Sequence, residues 1–371
     1  MHEDLGIYRS KSILVTGHTG FKGTWLSIWL HELGANVIGY SLDAPTDPNM
    51  FEAVRLEDRV THILGDVRDV KHLKSIFKEY EPEIIFHLAA QPIVRRSYKE
   101  PRLTFETNVM GTVNLLDTVK NTGCAKVVIV VTSDKCYENQ ERSFGYRETD
   151  RLGGHDPYSS SKGCAELAVS AYRSSFFSSD DDSQNVAIAS VRAGNVIGGG
   201  DWGEDRLVPD CVRALSAGKD IVVRNPMSVR PWQHVLEPLS GYLLLGTKLY
   251  NDREKFSTAW NFGPAENDAV SVEEIVKRVI AYWGEGKYRI KSSDSEPKET
   301  KMLKLDCSKA RELMGWKPTY SIDEALKQTI AWYKEYYKGR AASHLYVFTV
   351  TQILEYVAKG GYRSGSRAGP K

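Results

Sequence analysis

The chain has 371 residues, 41% of them hydrophobic, and a formal net charge of only +1 at pH 7, which predicts an ordinary globular protein of one elaborated domain or two. Its basic residues are scattered, so nothing indicates nucleic acid or an anionic membrane surface as a partner. No apolar run approaches the ~18 residues of a membrane span, the charged N-terminus lacks a signal-peptide core, and five widely spaced cysteines form no C-x-x-C pair, so we expect a cytoplasmic protein with reduced thiols and no metal site.

The first predicted unit is a strand, a glycine-rich turn and a helix. A β-prone run at residues 12–16 precedes three glycines at every third position, and apolar residues then recur at helical spacing. Such glycines let backbone N–H groups approach a pyrophosphate, which the positive end of the helix also favours. A glycine turn that is mere punctuation is the alternative. The predicted cofactor contacts here are Gly17, His18, Gly20, Phe21, Lys22 and Gly23, of which His18 and Lys22 could equally be solvated.

Two carboxylates follow the next two apolar runs. Asp43 ends the run at residues 35–42, about 20 residues past the turn, where a carboxylate can accept hydrogen bonds from the adenosine ribose. No Arg or Lys follows it closely, which favours NAD over NADP. Asp66, followed by Val67, comes after a predicted strand at residues 60–64; it can reach the adenine, cap the next helix, or do both.

The fourth predicted strand, residues 83–88, is a nearly continuous apolar run of the kind that is buried on both faces of a parallel sheet. It leads into small residues where a cofactor could pass close to the chain. A long amphipathic helix is predicted at residues 101–121; Asn108 within it is expected to be solvated or to pack. The predicted contacts at the strand end are Leu88, Ala89, Ala90 and Gln91.

The strongest candidate for an active site comes next. A β-branched strand at residues 126–131 ends in the polar run Ser133, Asp134 and Lys135, and ligands of doubly wound folds bind at the carboxyl ends of the strands. A helix from residue 157 to about 177 then carries Tyr158 and Lys162 one turn apart. An ammonium beside a phenol favours the phenolate, which can act as a general base. Taken alone, this Tyr-x-x-x-Lys spacing is common by chance.

Regular βα alternation fades after a sixth strand at residues 186–191. We therefore predict an α/β fold, a Rossmann-like doubly wound parallel sheet with a smaller, mostly C-terminal α/β substrate-binding lobe. The predicted domains are residues 1–190 with 235–265 returning to the sheet, a lobe of residues 191–234 and 266–345, and a tail of residues 346–371 whose Gly/Ser/Arg-rich end is disordered. Arg192, Arg224 and Arg230 could together bind a diphosphate, or could be separate surface residues.

With these motifs, the chain resembles the extended short-chain dehydrogenase/reductases over residues 11–337, and within them the CDP-glucose branch of the nucleotide-sugar 4,6-dehydratases. The segments that carry the resemblance are Thr16–Gly23, Thr132–Asn139, Tyr158–Lys162, Arg192–Asn195 and Arg230–Val235.

The resemblance implies an NAD cofactor, CDP-glucose as substrate, a product for deoxysugar (O-antigen type) biosynthesis, and a homodimer joined through residues 101–121 and 158–177. It implies that Tyr158, kept ionised by Lys162, takes the proton of the sugar 4-hydroxyl, that Ser133 hydrogen-bonds the 4-oxygen, and that Asp134 protonates the departing 6-hydroxyl. The substrate contacts it implies are Gln91, Ser133, Arg192, Asn195, Val208, Arg224, Arg230 and His234.

Lys135 departs from the dTDP-glucose relatives, which have Glu at this position as the base at C5. An ammonium cannot accept a proton, so Lys135 is either held neutral or stabilises the enolate. Two other functions stay open: a nucleotide-sugar 4-epimerase, against which Asp134 beside Lys135 argues, and a non-catalytic dinucleotide-binding regulator, against which Ser133, Tyr158 and Lys162 together argue.

Overall fold

The centre of the molecule is a sheet of seven strands in the order β7-β6-β5-β4-β1-β2-β3, with every neighbouring pair parallel. The computed structural model describes residues 3–177, 185–265, 269–291 and 303–363. This sheet confirms the predicted Rossmann-like fold. The strands are β1 (Ser12–Thr16), β2 (Asn36–Ser41), β3 (Thr61–Leu64), β4 (Ile84–His87), β5 (Val127–Val131), β6 (Ala187–Arg192) and β7 (Ala259–Asn261).

Helices cover both faces of the sheet. The longer helices are α1 (Phe21–Glu32), α2 (Val70–Tyr80), α3 (Gly111–Thr122), α4 (Pro157–Phe176), α5 (Leu207–Ser216), α6 (Leu236–Asn251), α7 (Val272–Trp283), α8 (Ile322–Tyr337) and α9 (Ala342–Gly360). Shorter helices are Met50–Ala53, Val94–Lys99, Pro101–Phe105, Arg253–Phe256 and Ser308–Met314, and 3-10 turns lie at Gly6–Tyr8, Leu56–Asp58 and Asp134–Cys136. None of the helices in the described ranges is long and apolar enough to cross a membrane.

The apolar runs of the sequence explain why the sheet forms. Successive residues of a strand point to opposite faces, so a strand covered on both sides must be apolar throughout. In β5 all five residues are buried, with Val128 in the hydrophobic cluster on one face and Ile129 in the cluster on the other. Leu14 and Ile13 of β1 divide in the same way.

The strand order places the candidate site. The chain runs outward in one direction from β1 to β3 and in the other from β4 to β7, so a crevice opens at the carboxyl ends of β1 and β4. The glycine turn after β1, the small residues after β4 and the polar run after β5 therefore meet at one edge of the sheet.

Short strand pairs build the region beyond this edge. Val196–Ile197 pairs in parallel with Gln233–His234, and Ile221–Val223 pairs in parallel with Tyr288–Ile290. Val229–Pro231 pairs antiparallel with Ala269–Ser271. These three pairs are separate from the seven-stranded sheet.

The predicted helix at residues 101–121 is interrupted. A helix at Pro101–Phe105 passes into one turn of π-helix at Glu106–Met110 before α3 begins at Gly111. Such π turns occur mostly as single insertions and are frequent at functional sites. Asn108 lies in this turn and is 2% exposed, so of the two roles expected for it the packed one is confirmed and the solvated one is wrong.

The predicted tail is also wrong for most of its length. Residues 342–360 form α9, whose buried face includes Tyr346 and Tyr356, and Tyr362–Arg363 pairs in parallel with Glu3–Asp4. The ring of Tyr356 packs against Trp29 of α1, and the Tyr356 hydroxyl donates to Glu237 of α6 over 2.7 Å. The rest of the predicted tail, residues 364–371, lies outside the described residues.

Candidate active site

The glycine turn closes tightly over the end of β4. Gly17 has φ +77°, a conformation that favours glycine, and a Cβ there would lie 2.8 Å from the backbone nitrogen of Ala89. A Cβ on Gly23 would lie 2.0 Å from the Gly17 carbonyl oxygen. Gly20 is the N-cap of α1, so the first N–H groups of this helix face the turn. Glycines thus create the cradle that a pyrophosphate needs.

His18 does not face this cradle. Its ring is fully buried against Phe51 and His62, and its Nε2 lies 2.7 Å from Nδ1 of His62. Burial lowers the pKa of His18 to about 3. The neutral imidazole is turned toward His62 of β3 and packs against Gly39 of β2. The predicted phosphate contact by this side chain is therefore wrong.

The two predicted carboxylates, Asp43 and Asp66, follow the carboxyl ends of β2 and β3. Asp43 is exposed just past β2, and Thr19 of the turn donates to the Leu42 carbonyl over 3.0 Å, which ties the turn to this strand end. Asp66 pairs with Arg68, and the side chain of Asp69, not Asp66, caps α2. Val67 is buried beside α3.

The polar run after β5 is held in a single 3-10 turn. Ser133 is its N-cap: its Oγ donates to Oδ1 of Asp134 over 2.8 Å and accepts from the Lys135 backbone N–H over 3.2 Å. Asp134 is 4% exposed, and its carboxylate lies over Gly194, where a Cβ would stand 2.0 Å from Oδ2. The run thus brings Ser133 and Asp134 side by side at the carboxyl edge.

Tyr158 and Lys162 of α4 face the same edge and are both buried. Burial raises the pKa of Tyr158 to about 12, and the hydrogen bond between the Tyr158 and Ser133 side chains opposes that rise. Burial lowers the pKa of Lys162 to about 8, and its Nζ donates to the Val131 carbonyl over 3.4 Å. The predicted lowering of the Tyr158 pKa by Lys162 is therefore wrong for the protein alone, since burial of the phenol dominates.

Asn108 links the end of β4 to the helix of Tyr158. Its Oδ1 accepts from the Gln91 backbone N–H over 2.8 Å, and its Nδ2 donates to the Gln91 carbonyl over 3.1 Å and to Oγ of Ser161 over 2.9 Å. Ser161 in turn donates to the Tyr158 carbonyl over 2.7 Å. The side-chain amide of Gln91 donates to the Thr104 hydroxyl over 2.9 Å. The contacts with Asn108 that hold Gln91 at the crevice are therefore those of its backbone.

A series of hydrogen bonds connects Asn108 to the strand that carries the glycine turn. The Thr112 hydroxyl donates to the Asn108 carbonyl over 2.8 Å and lies 3.2 Å from Nε2 of His87. Nδ1 of His87 lies 2.8 Å from Oγ1 of Thr16, which accepts from the Ala89 backbone N–H over 3.2 Å. The ring nitrogens of a single buried histidine thus join the turn to the π segment.

Charged groups of both signs lie near Tyr158. Lys22 donates to the Tyr242 hydroxyl over 3.2 Å, and its pKa falls to about 7 because of burial and of the charges of Lys162 and Arg206. Arg206 pairs with Asp201 at 2.8 Å. At Tyr158 the negative charge of Asp134 raises the pKa of the phenol and the positive charge of Arg206 lowers it, so Arg206 is the neighbour that favours the phenolate.

The matches to known proteins agree with this geometry. A family model described as GDP-mannose 4,6 dehydratase matches residues 14–329. The CDP-glucose 4,6-dehydratase of Salmonella typhimurium is 52% identical over 356 residues, covering 96% of this chain and 98% of the relative. The chain belongs to the GDP-mannose 4,6-dehydratase family.

Solved structures of related enzymes share the fold of this family member. The dTDP-glucose 4,6-dehydratase of Streptomyces venezuelae, crystallised with NAD, superposes with a TM-score of 0.72 at 24% identity over 87% of this chain and 97% of that one. The UDP-glucose 4-epimerase of Thermotoga maritima, crystallised with UDP-glucose, gives 0.72 at 24% identity over 87% and 99%.

Two of the predicted substrate contacts, Arg192 and His234, are wrong. Arg192 is 2% exposed and bonds Glu166 through two nitrogens, at 2.9 and 2.8 Å, so its guanidinium is not presented to a diphosphate. His234 is fully buried with its ring packed edge-on against Trp25 and Tyr320, so it belongs to the core.

Four other predicted substrate residues lie in the segment of the chain that follows β6. Asn195 has φ +50° and its carbonyl accepts from the Gln233 backbone N–H over 3.2 Å, whereas Val208 is buried in α5. Arg224 lies 3.8 Å from Asp205, and Arg230 sits in the Val229–Pro231 strand. The three arginines therefore do not form one cluster, because Arg192 is committed to Glu166.

Sequence reasoning missed Asn108 and Arg206 as residues near the chemistry. Nothing local to Asn108 signals the π turn that buries it. Arg206 stands in an irregular loop before α5, and only the long-range approach of that loop to α4 brings it near Tyr158.

Proposed function

We propose that this protein is an NAD-dependent nucleotide-sugar 4,6-dehydratase that converts CDP-D-glucose to CDP-4-keto-6-deoxy-D-glucose and water. The observation that carries the proposal is the 52% identity, over 96% of the chain, to a relative named CDP-glucose 4,6-dehydratase. The geometry supports it, because Tyr158, Lys162, Ser133 and Asp134 line the crevice at which doubly wound folds bind ligands.

The glycine cradle fits a dinucleotide. We assign the pyrophosphate to the turn from Gly17 to Gly23 and to the N-terminus of α1, and the adenosine to the strand ends near Asp43 and Asp66. The chain from Leu88 to Gln91 would flank the cofactor at the end of β4. When bound, NAD supplies the hydride acceptor for C4, the hydride donor for C6 and a positive charge that favours the ionised form of Tyr158.

The first proton transfer falls to Tyr158. At its pKa of about 12 the phenol is protonated at neutral pH in the protein alone, so ionisation requires added positive charge close by. Arg206 contributes part of that charge. We propose that Tyr158 then removes the proton of the sugar 4-hydroxyl while Ser133 holds the 4-oxygen.

Elimination of water requires an acid at the 6-hydroxyl and proton removal at C5. Asp134 stands beside Ser133, and we propose that its carboxyl group protonates the departing 6-hydroxyl. Lys135 follows it in the same turn and is our candidate for C5, as a neutral base or as a cation that stabilises the enolate.

Incubation of the purified protein with CDP-glucose and NAD tests the proposal. We expect a 4-keto-6-deoxy product. CDP-galactose would instead favour a 4-epimerase, and no turnover with CDP-, dTDP-, GDP- or UDP-glucose would favour a dinucleotide-binding regulator. The homodimer and the cytoplasmic location stay predictions, which size-exclusion chromatography and cell fractionation would test.

A further inference from the structure

A buried ion pair lies directly behind the crevice and takes no part in the chemistry proposed above. Glu166 is on α4, one turn beyond Lys162, and Arg192 is the last residue of β6. Their side chains are each 3% exposed, and the guanidinium spans both carboxylate oxygens. Although burial alone would raise it, Arg192 holds the pKa of Glu166 below its usual range, so both groups are charged.

On the carboxylate side, the pair fixes the end of β5. The Thr132 hydroxyl donates to Oε1 of Glu166 and the Ser190 hydroxyl donates to Oε2 over 2.7 Å. Thr132 is the residue before Ser133, and its backbone N–H donates to the Val191 carbonyl over 2.9 Å. One carboxylate thus joins α4 to β5 and β6 at the level where the polar run begins.

On the guanidinium side, the pair fixes the backbone against which Asp134 lies. Arg192 donates to the Tyr137 hydroxyl over 2.6 Å, and Tyr137 donates to Oδ1 of Asn261 over 2.8 Å, at the end of β7. The residues that follow Arg192 are Ala193, whose carbonyl lies 3.5 Å from the Asp134 nitrogen, and Gly194, which contacts the Asp134 carboxylate. Asp134 is therefore held from both sides by neighbours of this pair.

We propose that Glu166 and Arg192 are positioning residues that set where Asp134 stands relative to Tyr158. Tyr158 and Glu166 share one rigid helix, so the contacts of Glu166 with β5 and β6 fix the separation between the phenol and the polar run. The inference rests on the proposed function for its kinetic consequence, but the position of Asp134 can be measured without it.

The decisive variant replaces both partners, Glu166→Met with Arg192→Met. Removing one partner of a buried pair strands a charge, whereas replacing both with apolar side chains is often close to neutral for stability. We expect a folded protein in which kcat on CDP-glucose falls about 10- to 100-fold, because small misplacements of reacting groups are costly. KM should change less than about 3-fold, and reduced cofactor should accumulate, since Asp134 acts after C4 oxidation.

A less buried ion pair at the opposite edge of the sheet serves as control. Lys11 lies 3.0 Å from Glu83 at the amino ends of β1 and β4, so Lys11→Met with Glu83→Met should leave kcat and cofactor partition unchanged. Thr132→Val removes the hydroxyl bond to Glu166 and the contact of the same hydroxyl with the Val191 carbonyl at 3.2 Å, and keeps the ion pair. It should shift the partition in the same direction by a smaller factor. Unchanged kcat and partition in both the double variant and Thr132→Val would overturn the proposal.

A crystal structure of the double variant separates this inference from the proposed function. Displacement of Asp134 from its place over Gly194 supports the positioning role even if wild-type protein has no dehydratase activity. An Asp134 in the wild-type position would refute it. If the double variant does not fold, the structure and kinetics of Thr132→Val decide in the same way.

Discussion

Tyr158 shows how much a side chain depends on what surrounds it. Its hydroxyl is removed from water, and burial alone makes it a weaker acid than free tyrosine. The compensating groups are Ser133, which bonds it, and Arg206, which lies in its field. A base built in this way is inactive until further positive charge arrives beside it.

Tyr158→Phe removes the hydroxyl and leaves the packing of α4 in place. We expect turnover of CDP-glucose to fall by at least about 100-fold, a typical contribution of a general base. Product formation and the absorbance of reduced cofactor should both disappear, because no other described group is placed to take the 4-hydroxyl proton. Turnover near the wild-type rate would refute the role of Tyr158.

Asp134→Asn keeps the shape of the side chain but cannot deliver a proton. The elimination step should slow more than C4 oxidation, so that 4-keto-glucose and reduced cofactor accumulate within one turnover. Rapid mixing with spectroscopic detection measures both steps. Equal slowing of oxidation and elimination would count against Asp134 as the acid.

At the scale of elements, regular structure follows closely from the sequence and interruptions do not. The strands β1, β5 and β6 lie within one residue of their predicted ends because β-branched runs have few alternatives. The π turn at Glu106–Met110 is different, since it depends on the tertiary contacts of Asn108 with Gln91 and Ser161. The spacing of apolar residues in a helix does not indicate such tertiary contacts.

One buried carboxylate contributes to the docking of α9. Glu237 of α6 is 1% exposed and accepts from the backbone N–H groups of Thr319 and Tyr320, at 2.9 and 2.7 Å, and from the Tyr356 hydroxyl. Burial raises its pKa from 4.5 to about 7. Below pH 4.5 this raised pKa contributes its full share of stability, which is lost as the pH rises through about 7.

Glu237→Gln should remove that pH dependence. A shift of this size is worth on the order of 3 kcal/mol between the two ends of the range. We expect the unfolding free energy of the wild type to decline between pH 4.5 and pH 7 relative to that of the variant, measured by denaturant titration at each pH. Parallel curves for the two proteins would show that Glu237 does not titrate in this range.

At the scale of the whole molecule, the central sheet and the crevice could be predicted from the sequence. The packing of α9 and the ion pair behind the crevice could not. The buried residues of α9 include Leu345, Thr349, Ile353 and Tyr356, at helical spacing that periodicity could have detected. Exposed Val347 and Leu354 blur that pattern. The ion pair of Glu166 and Arg192 has no such signal, since its partners are joined only by the folded sheet.

Deleting residues 342–371 should prevent stable folding. The deletion removes five large buried side chains of α9 and uncovers Trp29, and at about 2 kcal/mol each the loss approaches the stability of a whole domain. Thermal unfolding and solubility measure the result, with removal of residues 364–371 as the control. A truncated protein that melts with the wild type would show that α9 is dispensable.

The hydrogen bonds around His87, behind the crevice, fix which atom donates the proton in each of them. Because the Thr112 hydroxyl gives its proton to the Asn108 carbonyl, it must receive one from Nε2 of His87, so this imidazole is the Nε2–H tautomer. Its bare Nδ1 then draws the Thr16 hydroxyl proton, which frees that oxygen for Ala89. Nitrogen NMR of His87 would read this arrangement directly, and replacing Thr112 with Val would let the imidazole turn its proton toward the strand that carries the glycine turn.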